Sequence, residues 1–80
     1  MATIHFGNEQ QRFTKGVTEI ELDAPNVKQL IAKLDAKFPG LGALLESSAV
    51  AINGEVVNDP AFEAVPGDAE IYFVVKQAGG

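Results

Sequence analysis

Apolar and polar residues alternate with period two near both ends of the chain and with a period close to 3.6 in its middle. Side chains of a strand point to opposite faces in turn, so Ala2 to Phe6 reads as a strand with Ile4 and Phe6 on one face and Thr3 and His5 on the other. Gly7 to Gly16 is a polar stretch with no clear period and is read as a link. In Val17 to Leu22, Glu19 and Glu21 alternate with Ile20 and Leu22, the pattern of an antiparallel strand with one wet face. Val27, Leu30, Ile31, Leu34 and Phe38 then form an apolar stripe at helical spacing, with Lys28, Gln29, Lys33, Asp35 and Lys37 opposite. Asn26 is a good N-cap with Gln29 three residues on, and Pro39-Gly40 stops the helix. Its lysines lie mainly toward the C-terminal half, which suits the helix dipole.

Beyond the helix, Leu41 to Ser48 is expected to form an irregular turn or short helix, and Ala49 to Ile52 a third strand. Asn53-Gly54 suits a two-residue turn whose backbone angles need positive φ, so Glu55 to Asn58 returns as a fourth strand. Asn58-Asp59-Pro60 breaks it, Phe62 and Val65 are expected to plug the core from the following loop, and Pro66-Gly67-Asp68 makes a second tight turn. Ala69 to Val75 is the most apolar strand and therefore the expected central one. Ile71, Phe73 and Val75 face one way and Tyr72 and Val74 the other. One main helix and about five strands must bury a sheet face against the helix stripe. If the first and last strands pair in parallel, the helix supplies the crossover such a pair needs. The fold class is α+β, a β-grasp with a mixed sheet, in which residues 1–75 form the domain and 76–80 a flexible tail.

Composition narrows what such a domain can do. Eighty residues support one modest core and no deep enclosed active site, since a chain of this size buries only about 60% of its unfolded surface. The absence of cysteine removes disulfides, thiolate metal sites and a protein thiol nucleophile. No segment approaches the roughly 18 apolar residues that span a membrane, and the first residues lack the basic and apolar runs of a leader. A cytoplasmic protein is expected, with no membrane partner. Eleven acids against six bases give a net charge of −5, which repels nucleic acid and favours a partner with a basic surface.

An enzyme of its own finds little support. His5 is the single histidine, so no two-histidine metal site exists, and it reads as a surface or interface residue. Ser47 and Ser48 have no base nearby in sequence, and Asp68 and Glu70 read as turn and strand residues before they read as an acid–base pair. No catalytic or metal residue is assigned, and no bound cofactor. What remains is the terminus, where Gly79-Gly80 follow the short tether Lys76-Gln77-Ala78.

These features together resemble one family, the ubiquitin-like sulfur carriers, which include the small subunit of molybdopterin synthase and the sulfur carrier of thiazole (thiamine) biosynthesis. The markers are Leu30 and Leu34 leading into Phe38-Pro39-Gly40-Leu41, the Val50-Ala51-Ile52-Asn53-Gly54 turn, Pro66-Gly67-Asp68 before the last strand, and Gly79-Gly80. Val74-Val75-Lys76-Gln77 stands where molybdopterin-type members commonly carry two prolines, which counts against that branch specifically. The resemblance implies that an ATP-dependent, ubiquitin-activating-like enzyme adenylates Gly80. A sulfur donor then makes the thiocarboxylate, and an acceptor enzyme spends it on molybdopterin, thiazole, cysteine or a similar product. The chemistry agrees: a terminal carboxylate is ionised at neutral pH and a poor electrophile until activated. A water-excluding cleft also favours residues without side chains, here Gly79 and Gly80. Five residues from Lys76 reach about 17 Å when extended, enough to enter a partner's site. Tyr72, Val74 and Lys76 are the expected docking residues. The alternative is a ubiquitin-like modifier joined to target lysines through the same Gly80, and a non-reactive interaction module is a third reading.

Overall fold

A computed structural model describes residues 1–76. Its strands are β1 (Ala2–His5), β2 (Glu19–Leu22), β3 (Ala49–Ile52), β4 (Glu55–Val57) and β5 (Glu70–Val74). Its helices are α1 (Asn8–Thr14), α2 (Val27–Lys37) and α3 (Leu41–Glu46). The sheet order is β2-β1-β5-β3-β4, with β1 and β5 parallel at the centre and every other pair antiparallel. This is the β-grasp arrangement expected from the sequence. Ile4, Ile71, Phe73 and Val50 on the inner sheet face bury against Val27, Leu30 and Leu34 of α2 and Leu41 and Leu45 of α3.

The start of α2 shows how the fold answers the orphan amides of a helix N-terminus. Asn26 Oδ1 accepts from the Gln29 N–H at 2.9 Å, as its capping position predicts. The Val27 and Lys28 N–H groups donate to Glu63 O at 3.0 Å and Ala61 O at 2.9 Å, so the loop after β4 completes the cap. That commitment also corrects one expectation. With the carbonyls on either side of it turned to α2, Phe62 stands outward and is 86% exposed, while Val65 does pack against the core.

Two further expectations are corrected. Residues 8–14 form a helix, not a link. Gln10 Oε1 accepts from the Gly7 N–H at 2.5 Å, Gln11 Nε2 donates to Phe6 O at 2.9 Å, and Thr14 Oγ1 donates to Val17 O at 2.8 Å. Polar side chains bonded to nearby backbone hold α1, and its buried residues are Gln10 and Thr14, so no apolar stripe announces it. Val75, expected on the core face, lies past the end of β5 and is exposed.

Candidate functional site

Because β5 is central, its outward residues stand in the middle of an uncovered sheet face. Tyr72 is 48% exposed there and Val74, two residues on, is half-buried. The register places His5, Tyr72, Ala51 and Val56 in one row across β1, β5, β3 and β4. Ala51 is too small to cover its neighbours, so the Tyr72 ring and the half-exposed Val56 form a shallow apolar strip. The His5 and Tyr72 rings stack at 4.4 Å with planes 10° apart. His5 Nε2 is hydrogen-bonded to Glu70 Oε1 at 2.6 Å, and Nδ1 lies 3.7 Å from Glu19 Oε1. The aromatic pair is thus fixed between two carboxylates.

Charge differs between the faces. Glu19, Glu21 and Glu70 share the outward phase with Tyr72 and the described strands hold no lysine or arginine, whereas Glu55 pairs with Ile52 in the core-facing phase and α1 and α2 mix Glu9 and Asp35 with Arg12, Lys28, Lys33 and Lys37. Lys76, the third expected docking residue, does not join the strip. Its Nζ lies 3.2 Å from Asp59 Oδ1, at the rim of a groove between α2, α3 and residues 59–62. Gly79 and Gly80, expected to carry the chemistry, lie outside the described residues.

Other candidate groups have separate occupations. The Ser47 and Ser48 hydroxyls both donate to Leu44 O and close α3. Asp68 pairs with the N-terminal ammonium at 3.4 Å while Glu70 pairs with His5, so the two carboxylates do not act together. Among the described residues no cluster of three histidine, aspartate or glutamate side chains could hold a metal ion. The His5–Tyr72 stack and the groove beside Phe62 were not anticipated from sequence. Only the in-phase pairing of two outward aromatic positions could have signalled the former.

The described residues thus present an apolar strip on the outward sheet face and, apart from it, a groove beside Lys76. The ThiS family model matches residues 4–80. The chain belongs to the ThiS family of ubiquitin-like sulfur carriers. No curated protein matches it. A chain of the Amycolatopsis orientalis BexX/CysO complex superposes with a TM-score of 0.84 at 19% identity, covering 100% of both chains. Mycobacterium tuberculosis CysO, described as an antigen, gives 0.83 at 12% identity over 96% of this chain and 100% of that one. At these identities the two structures establish the shared fold alone. The family match spans the β-grasp and continues through the diglycine.

Proposed function

We propose that this ThiS family member carries sulfur as a thiocarboxylate on Gly80 and is not itself a catalyst. The observation that carries the reading is the family match running through Gly79-Gly80, behind a β-grasp whose central strand leads into that tail. The Gly80 carboxylate attacks the α-phosphorus of ATP on a partner enzyme, giving an acyl-adenylate and releasing pyrophosphate. A sulfide equivalent from a donor then attacks the acyl carbon; a C–S bond forms, the C–O bond to phosphate breaks, and AMP leaves. Gly79 supplies the steric freedom to thread a narrow cleft. ATP belongs to the partner, and an acceptor enzyme for molybdopterin, thiazole, cysteine or a similar product takes the sulfur in the cytoplasm.

The Tyr72–Val74–Val56 strip with its rim of carboxylates suits a partner that presents an apolar centre and basic edges. Docking contributes affinity and orientation, and the tail contributes the reacting atom. The Amycolatopsis orientalis structure is a complex of BexX with CysO, which supports a carrier that works through partner proteins. Among the described residues no helix is long and apolar enough to cross a membrane. Intact mass spectrometry of the protein from its native cell tests the reading. Replacement of a terminal oxygen by sulfur is expected to add about 16 Da; Gly80 joined to a lysine of another protein would establish the modifier role in its place.

A further inference from the structure

The groove at the root of the tail is separate from the outward sheet face. Ile31 of α2, Leu45 of α3, Pro60 and Phe62 line a volume of about 300 Å³, with Lys28 and Lys76 at its rim. Phe62 is the most exposed large apolar side chain among the described residues. It contributes nothing to the core, although the backbone on either side of it is anchored. Its backbone neighbours are bonded to α2, and Lys28 Nζ stands 5.9 Å from its ring centroid.

We propose that this groove receives the apolar lip of the adenylating partner's cleft, with Phe62 as the anchor, so that the partner grips the carrier on both sides of the tail root. The inference rests on the proposed function above. Its warrant is reach: Gly80 lies four residues past Lys76, and four extended residues span at most about 14 Å. A cleft that encloses Gly80 must therefore bring its mouth down onto the surface around Lys76. Lys76 lines this groove, which places the groove under that mouth. An aromatic side chain has few rotatable bonds, and on a backbone already hydrogen-bonded to α2 it loses little freedom on contact, the property of residues that dominate interface energetics.

The test measures ATP–pyrophosphate exchange by the cognate adenylating enzyme as a function of carrier concentration, using the full-length chain and its Phe62→Ser and Phe62→Leu variants. Phe62→Ser is expected to raise KM for the carrier about tenfold with kcat unchanged, in line with truncation of an interface anchor. Phe62→Leu, which keeps an apolar anchor, is expected to recover most of that loss. Both variants should melt with the wild type because the side chain is exposed. A wild-type KM for Phe62→Ser overturns the groove proposal while leaving the carrier reading intact; no exchange with the unaltered chain overturns the carrier reading itself. Sedimentation showing a wild-type dimer that Phe62→Ser dissolves would assign the groove to a second copy of the chain and overturn the proposal equally.

Discussion

Gly42 shows how far a single residue's environment can reverse an ordinary preference. In an exposed helix interior, glycine to alanine stabilises by roughly 1 kcal/mol. Here a Cβ at position 42 would stand 2.8 Å from the Asp35 Cβ, while Asp35 Oδ1 accepts from the Gly42 N–H at 2.9 Å and the Gly40 N–H at 3.1 Å. Gly42→Ala is therefore expected to destabilise, by about 1–3 kcal/mol through overpacking, and urea denaturation that shows a gain would refute the close approach of α2 and α3. At the tail the same reasoning concerns function. Gly79→Val should slow pyrophosphate release far more than Lys76→Ala, because a branched Cβ obstructs a narrow cleft, whereas an exposed ion pair such as Lys76–Asp59 is worth at most about 1 kcal/mol. Equal rates for Gly79→Val and the wild type would remove the threading argument. Alternation in the sequence sufficed to place Tyr72 and Val74 on the outward face. The stack of Tyr72 on His5 depends on pairing between strands some 65 residues apart, and no local pattern encodes that register.

Elements were legible where burial imposes a period. The stripe and Asn26 predict α2 almost to the residue, the Asn53-Gly54 turn appears with φ of 51° and 87°, and the apolar run of β5 marks the centre of the sheet. α1 was hidden because hydrogen bonds of Gln10, Gln11 and Thr14, not an apolar face, hold it. The outward turn of Phe62 was hidden for a related reason, since the backbone's obligation to cap α2 overrides the side chain's preference for burial. Two changes in α2 separate these forces. Leu34, fully buried in the stripe, should cost about 2–5 kcal/mol when cut to alanine, through its cavity. Asn26→Ala should cost only about 1 kcal/mol. Chemical denaturation of both variants checks the ranking, and a near-neutral Leu34→Ala would contradict the packing of α2 on the sheet.

For the whole molecule, the decisive property is that its two faces differ in charge and stand well apart. The domain is 18 Å across in its thinnest dimension, about two screening lengths at physiological salt, where the Debye length is about 8 Å. At long range an approaching partner therefore senses one face at a time, and the acidic outward face steers a basic surface toward the Tyr72 strip while Lys33 and Lys37, away from the groove, repel it. Glu19 and Glu21 are exposed on the edge strand β2, and the 3.7 Å contact of Glu19 with His5 is a surface pair worth at most about 1 kcal/mol, so Glu19→Lys with Glu21→Lys is expected to leave folding intact. The pair should slow association with the adenylating partner on the order of tenfold at low salt, with the gap closing as salt is added and kcat unchanged. Lys33→Glu with Lys37→Glu, on the opposite face and away from the groove, should not slow it. Stopped-flow association across a salt series makes the comparison. If both charge reversals slow binding alike, the partner does not select the sheet face, and the assignment of that face as the docking surface fails.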